Sequence, residues 1–358
     1  MLTSPLTLRC GLVIPERIAL APLTNTQSHT DGTLDDVELR WLVRRATGGF
    51  RFVSTCAAFV SEEGHAWDGQ LGIASDAHLP GLTRMAAALR DAGAVSVVQL
   101  HHGGVEAKLA PDPISTGGPD GARAATPEDL ARVVRDFVDA AVRAERAGFD
   151  GVEVHGANGY LFTQFLAPAD NPRTDAYGGS LENRARLLRE AVRAVRSAVS
   201  PGFAVGVRLS VVDTWAQRGL VLADGVQVGG WLAEDGVDFV HLSLRDAAGP
   251  PPFEPDAGVV VRALRDALPA EVAVFAAGGV WTRADAERVH GAGADVVVLG
   301  KVAIGNPDWP GSSRDAGWEP VRPPYTPAYL AEQAVGERLV TYLSRFPGMV
   351  VGGMPARS

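Results

Sequence analysis

Short, nearly continuous apolar runs alternate along the chain with amphipathic segments of helical period. Eight such runs occur, and most of them contain few polar residues. This pattern is typical of buried parallel strands, because both faces of such strands are covered by other elements. The predicted strands lie at 17–20, 50–55, 95–100, 151–154, 204–209, 239–243, 272–276 and 295–299.

The segments between these runs carry helix signals. Thr126 and Pro127 start one helix, since threonine is a good N-cap and proline suits the first turn, and Gly148 ends it. Ser180 caps the next helix. Further amphipathic helices are predicted at 78–92, 223–235, 257–268 and 282–291, a short one after residue 301, and a final one near 326–345.

Eightfold alternation of strand and helix predicts an α/β fold, a closed (β/α)8 TIM barrel. An open, doubly wound sheet is the alternative, but the chain has no early glycine-rich nucleotide fingerprint. We expect residues 1–358 to form a single domain with a helical tail from about 309 to 358.

Two long connections follow predicted strands and therefore lie at the face where barrel enzymes hold their chemistry. Residues 103–125 are rich in glycine and proline, and residues 245–256 include three successive prolines. Either they are lids or substrate-shaping loops, or they are variable surface connections.

Composition narrows the class of protein. The chain is 46% hydrophobic and 21% charged with a net charge of −9, so nothing favours nucleic acid or an anionic membrane as a partner. No apolar run approaches the roughly 18 residues that span a bilayer, and residues 1–11 lack the features of a secretory signal. A cytoplasmic protein is expected, with Cys10 and Cys56 as small buried hydrophobic residues.

The glycines after the last two strands indicate an anion site. Gly278 and Gly279 let backbone N–H groups approach an anion closely, and Gly300 is followed by the cation of Lys301. Barrels of this architecture commonly bind phosphate there. The ligand itself stays open: phosphorylated sugars, orotate precursors and flavin mononucleotide are all compatible.

Two polar residues interrupt otherwise apolar strands. Gln99 and Arg208 either grip a planar polar edge, such as a flavin pyrimidine ring, or form a core amide bond and an internal salt bridge. Adjacent histidines at 101 and 102 point to opposite faces and have no acidic partner at a suitable spacing, so no metal site is expected.

The turn after the fourth strand presents three polar side chains within six residues. His155 and Asn158 can both donate to one carbonyl oxygen, and Tyr160 can supply a proton nearby. Such a set suits addition across a conjugated C=C bond. The alternative is a hydrogen-bonded turn with no chemical role.

The chain resembles the Old Yellow Enzyme family of FMN-dependent NADH:flavin oxidoreductases, over about residues 15–310. Two motifs carry the resemblance: 155–161 continuing into 164–168, and the run 173–184 with its Arg-Thr-Asp, Tyr-Gly-Gly-Ser and Glu-Asn-Arg pieces.

The resemblance implies roles for individual residues. His155 and Asn158 match the pair that binds the substrate oxygen, Tyr160 matches the general acid, and Thr26 lies where some members place a substrate-contacting aromatic residue. The remaining matches concern FMN: first-strand contacts by Ala21, Pro22, Leu23 and Thr24, ring packing by Ala57, the pyrimidine edge by Gln99 and Arg208, and the phosphate end by Gly278, Gly279, Gly300 and Lys301.

The chain departs from the family pattern at the phosphate end of FMN and on the substrate side. Lys301 stands where the family usually has arginine, which removes a bidentate contact to phosphate. His101 and Val105 stand where tryptophan and arginine are common, which changes the substrate side and any contact between subunits. Thr26 replaces an aromatic residue, which predicts a roomier substrate pocket.

The expected activity is ene reduction: NADH or NADPH reduces bound FMN, which then reduces an α,β-unsaturated carbonyl or nitro compound. The partners would be small molecules, with a homo-oligomer possible. Two alternatives remain: a specialised flavin oxidoreductase or desaturase acting on a biosynthetic intermediate, and a phosphate-binding barrel without flavin that acts as a lyase or a binding protein.

Overall fold

A computed structural model of the chain describes residues 1–117, 122–213, 217–244 and 257–353. Its centre is a closed barrel of eight parallel strands in which each strand pairs with the next along the chain and the last pairs with the first. The strands are β1 Ile18–Leu20, β2 Phe52–Phe59, β3 Val95–His101, β4 Gly151–Gly156, β5 Ala204–Leu209, β6 Phe239–Ser243, β7 Ala273–Ala277 and β8 Val296–Leu299. The predicted barrel is confirmed, with strand ends shifted by a few residues.

Helices surround the barrel. Those that follow the strands are α1 Asp36–Thr47, α2 Leu79–Asp91, α3 Pro127–Ala147, α4 Leu161–Leu166, α5 Leu181–Ala198, α6 Leu222–Glu234, α7 Ala257–Ala267, α8 Arg283–Gly291, α9 Lys301–Gly305 and α10 Trp309–Ser312. The predicted boundaries of α3 are confirmed: the Thr126 side chain accepts from the Asp129 N–H, and Gly148 ends the helix in the left-handed region. The sequence patterns did not predict α1 or α4.

The barrel is closed at the N-terminal ends of its strands. Rings of Phe239 and Phe275 stack there with centroids 4.4 Å apart, and Phe52 meets Phe275 edge-on. A Cβ at Gly206 would lie 2.1 Å from the Phe239 ring, so only glycine fits beside this stack. An N-terminal hairpin, Leu6–Thr7 with Val13–Ile14, packs below. The open end is therefore the opposite one.

The end of the chain differs from the prediction. In place of one helix near 326–345 there are two, α11 Pro327–Glu332 and α12 Glu337–Leu343, with Ala334 between them at a φ of 59°. The buried Arg45 guanidinium donates to the Gln333 carbonyl at 2.9 Å and to the Ala303 carbonyl at 3.1 Å. These bonds hold the break between the helices against α9.

The long connections are only partly described. The connection after β3 contains a short parallel pair, Ile114–Ser115 with Arg123–Ala124. The loop 245–256, with its three successive prolines, lies entirely outside the described residues. None of the helices in the described ranges combines the length and apolar character needed to cross a membrane.

The expectation of buried cysteines is confirmed for Cys56, which lies in the hydrophobic core, but not for Cys10. The Cys56 thiol is buried but donates to Glu38 Oε1 at 3.0 Å, and Cys10 is only partly buried. Burial and the neighbouring Glu38 carboxyl raise the pKa of Cys56 well above its ordinary value. This thiol is a hydrogen-bonded, unreactive group.

Candidate active site

A buried polar layer crosses the barrel just below its open end. Glu153 on β4 accepts from Gln99 Nε2 at 2.7 Å and contacts His241 Nδ1 at 2.7 Å. Burial alone would raise the pKa of Glu153, but His241, Arg208 and Gln99 outweigh it and lower the pKa. The layer therefore contains an ionised carboxylate that fixes the amide of Gln99.

Sequence reasoning missed two members of this layer. Glu153 interrupts an apolar strand just as Gln99 and Arg208 do, so the same signal pointed to it. His241 occupies the equivalent place in β6. Gln99 forms the core hydrogen bond that was one of its two predicted roles. The same side chain can also contact a ligand, because a primary amide has further hydrogen-bonding capacity.

Arg208 lies on β5, in register with His155 on one side and His241 on the other. Within the described residues its guanidinium has no carboxylate within 4.0 Å, and its buried Nε has no hydrogen-bond partner. Its polar contact is with the Pro22 carbonyl at 3.5 Å. A buried, unpaired donor is costly, so this group is suited to a ligand.

The first cavity at the mouth measures about 430 Å³. Barrel residues form one side of it, and residues of the C-terminal segment form the other. The barrel side consists of Pro22, Leu23, Thr24, Asn158, Arg208 and Lys301. The apolar lining and the two cations, Arg208 and Lys301, suit a flat ring that carries a phosphate.

The glycines after β7 do not lie at the start of the next helix. Gly278 and Gly279 have φ values of 144° and 60°, conformations that favour glycine, and Gly279 is exposed. Helix α8 begins only at Arg283, and Asp285 and Thr282 already cap it. The backbone at Gly279 and the exposed Lys301 side chain are thus the available anion donors, without the helix terminus.

His155, near the end of β4, and Asn158 and Tyr160, in the turn after it, lie close together at the mouth. The Ala157 N–H donates to His155 Nδ1 at 3.3 Å, which leaves the ring proton on Nε2. The Ser243 hydroxyl donates to Asn158 Oδ1 at 2.8 Å, and the Asn158 NH2 donates to no group in the described part of the chain. Asn158 is held at a φ of 62°, an uncommon conformation that often marks functional sites.

His155 is electrically neutral. Burial, together with the nearby charges of Arg208 and other histidines, holds its pKa well below the ordinary value. The end of β4 and the turn after it therefore contain two uncharged N–H donors, one from an imidazole and one from an amide.

Tyr160 lies among three rings. Its ring centroid is 4.3 Å from that of His101, 5.2 Å from that of His155 and 6.3 Å from that of Trp67. Burial raises the pKa of Tyr160 to about 12. The phenol is therefore fully protonated at neutral pH, as an acid must be.

A second cavity, of about 490 Å³, lies beside Tyr160. Thr24 and Thr26 from the end of β1 line it, together with Trp67 and residues of α12. The sequence predicted Thr26 at the substrate but gave no indication of Trp67 or of Tyr342, which lines both cavities.

The other predicted residues lie around these cavities. Ala21 and Ala57 are buried at the ends of β1 and β2, and Gly300 precedes α9 next to Leu23. The His101 side chain is fully buried and accepts from Gln70 Nε2 at 3.1 Å through Nδ1.

The second sequence motif, 173–184, supports the loop that leads into α5. Arg173 binds Asp175 and the Ala125 carbonyl, and the Tyr177 hydroxyl donates to Glu190. Arg184 donates to the Leu166 carbonyl at 2.8 Å, at the end of α4. Within the described residues, the motif lines neither cavity, and its Arg184 connects α5 to the end of α4.

The family model for NADH:flavin oxidoreductase / NADH oxidase matches residues 2–314. The chain belongs to this family. Its members use FMN and NADH or NADPH, and the cavity with the unpaired Arg208, the apolar lining and Lys301 fits FMN. This assignment decides against the alternative of a barrel without flavin.

Relatives of this flavin oxidoreductase agree with the assignment. It is 34% identical over 322 residues to the probable NADH-dependent flavin oxidoreductase YqiG of Bacillus subtilis, covering 86% of both chains. It is 39% identical over 250 residues to an NADPH dehydrogenase of Bacillus pumilus, covering 68% of this chain and 72% of the relative.

Solved structures give the same picture. Morphinone reductase superimposes with a TM-score of 0.78 at 29% identity, and 92% of each chain is covered. The Old Yellow Enzyme homologue of Zymomonas mobilis has a TM-score of 0.78 at 25% identity, covering 89% of this chain and 93% of that one. The predicted resemblance to Old Yellow Enzyme is confirmed.

Proposed function

We propose that this flavin oxidoreductase reduces the C=C bond of α,β-unsaturated carbonyl or nitro compounds. The observation that carries the proposal is the pairing of two neutral N–H donors, from His155 and Asn158, with the protonated phenol of Tyr160 at one barrel mouth. Donors for a carbonyl oxygen and an acid beside them are what this addition requires.

His155 and Asn158 have one role in the proposed reaction, and Tyr160 has another. When bound, FMN supplies hydride, drawn from NADH or NADPH, for the β-carbon of the substrate. His155 Nε2 and the Asn158 NH2 hold the carbonyl oxygen and stabilise the negative charge that grows on it as the β-carbon is reduced. Tyr160 gives its proton to the α-carbon, which completes the saturated product.

A simple experiment tests the activity. We expect the purified protein to be yellow, and to oxidise NADH or NADPH in the absence of oxygen when cyclohexenone is added but not when cyclohexanone is added. Bound FMN without turnover of any enone in a panel would instead favour a specialised oxidoreductase or desaturase that accepts one biosynthetic intermediate.

Lys301 gives a second prediction, on FMN affinity. A guanidinium can hold phosphate through two parallel hydrogen bonds and an ammonium cannot, so Lys301→Arg should tighten FMN binding, whereas Lys301→Ala should raise the Kd by about tenfold. The measurement is quenching of FMN fluorescence during titration with apoprotein.

Lys108→Ala provides the matched control, because Lys108 pairs with Glu106 at 3.4 Å and does not line the 430 Å³ cavity. Identical FMN affinities for the wild type, Lys301→Arg and Lys301→Ala would show that Lys301 does not bind the phosphate.

A further inference from the structure

The C-terminal segment, residues 336–351, is fastened across the barrel mouth. The Gly336 N–H donates to Gln27 Oε1 at 2.8 Å, and Arg338 donates to the Ser28 carbonyl at 3.0 Å. At its far end Val351 and Met349 form a bridge with Tyr325. Leu339 and Leu343 are buried in the same core as the barrel helices. The segment is therefore part of the folded body and presents a defined surface to the mouth.

Tyr342 projects from this segment between the two cavities. It lines the 430 Å³ cavity together with Arg208 and Lys301, and the 490 Å³ cavity together with Tyr160 and Thr26. Burial raises the pKa of Tyr342, and a hydrogen bond from Thr24 offsets this only in part. The residue thus places a neutral phenol ring in the cavity that also contains Tyr160.

The small side chain of Thr26 leaves room for the Tyr342 ring in the 490 Å³ cavity. Thr26 is held at a φ of 54°, and its small side chain reaches the Arg338 carbonyl on α12 at 3.4 Å. Both Thr26 and Tyr342 line the 490 Å³ cavity. A larger side chain at position 26 would extend into the space between the end of β1 and α12.

We propose that Tyr342 is a specificity-determining residue that limits the bulk of the enone lying beside Tyr160. The proposal rests on the proposed ene reduction and adds which substrates it accepts: flat, compact conjugated carbonyl compounds in preference to those with wide substituents. The ring of Tyr342, from the C-terminal helix of the same chain, thus borders the pocket. It narrows the space that the small side chain of Thr26 leaves.

The test compares a compact and a bulky substrate in FMN-loaded enzyme. With cyclohexenone and benzylideneacetone, Tyr342→Ala should raise the ratio of kcat/KM for bulky over compact substrate by about tenfold, and Tyr342→Trp should lower it. Tyr342→Phe should keep the wild-type ratio, because the ring fills the space. Val340→Ala, on the same helix but lining neither cavity, is the matched control for loss of packing and should also keep the ratio.

Binding provides a readout that does not need turnover. The ratio of Kd values for phenol and for the bulkier 4-phenylphenol, followed through flavin absorbance, should shift in the same directions among these variants. If the wild type reduces neither enone, the proposed function fails, and the phenol ratios alone decide about Tyr342. Unchanged ratios in Tyr342→Ala and Tyr342→Trp proteins that are still yellow would overturn the inference.

Discussion

Tyr160→Phe is expected to slow reduction of an enone by about 10² to 10⁴-fold, the usual contribution of a positioned general acid. Reduction of the bound flavin by NADH or NADPH should continue at close to the wild-type rate, because that step needs no proton from Tyr160. Stopped-flow absorbance separates the two half-reactions.

The control for this prediction is Tyr177→Phe, which also removes one phenol hydroxyl. The Tyr177 hydroxyl donates to Glu190 at 3.1 Å, outside both mouth cavities of the described chain. Equal losses of rate in both half-reactions of Tyr160→Phe would contradict the role of Tyr160 as an acid.

The high pKa of Tyr160 adds a pH dependence. A group with a pKa of about 12 keeps its proton throughout the neutral range and loses it only as the pH approaches that value. We therefore expect the rate of enone reduction to show no loss from deprotonation of Tyr160 between about pH 6 and pH 10.

His155→Ala should lower kcat/KM for enones by about 10² to 10³-fold, the typical effect of removing one donor from a group that stabilises a developing oxyanion. Asn158 would remain as the second donor, held through its Oδ1 by Ser243. The same variant should bind phenol more weakly and give less charge-transfer absorbance, since His155 Nε2 would no longer contact the phenolic oxygen.

His290→Ala is the matched control. His290 lies at the end of α8, where its Nδ1 contacts the Ala294 carbonyl at 2.7 Å. An unchanged phenol titration in His155→Ala would exclude His155 from the oxygen-binding pair.

Glu153 is buried in the barrel interior and acts on two of the predicted flavin contacts, Gln99 and Arg208. Its carboxylate lies below Arg208, and it determines which way the Gln99 amide points. The cation of Arg208 suits the negative charge of a reduced flavin ring, and a carboxylate beneath it moderates that cation. Burial lowers the pKa of Arg208, and Glu153 acts in the opposite direction and keeps the guanidinium charged.

The two C-terminal helices show where a local sequence pattern fails to predict a helix boundary. Residues 326–345 are amphipathic enough to predict one helix, yet the Gln333 carbonyl is bound by Arg45, 288 residues earlier in the chain. Helical periodicity reports only which residues share a face. It cannot report a hydrogen bond from a distant side chain that ends the helix.

By itself, the sequence determined the barrel and the positions of most mouth residues. Strand and helix periods are local properties, and parallel strands of a closed barrel all end at one face, so His155, Asn158, Tyr160 and Arg208 had to lie near that face. The turn at Gly278 and Gly279 was predictable for the same local reason, and both glycines have positive φ.

Only the tertiary structure decided how these side chains are oriented and enclosed. Glu153 contacts His241 across 88 residues of chain, and Ser243 orients Asn158 across 85. Tyr342 reaches the mouth because its helix is fastened to residues near the other end of the chain, such as Gln27 and Ser28. Contacts of this kind depend on distances between side chains in three dimensions, and no local pattern of hydrophobic and polar residues encodes them.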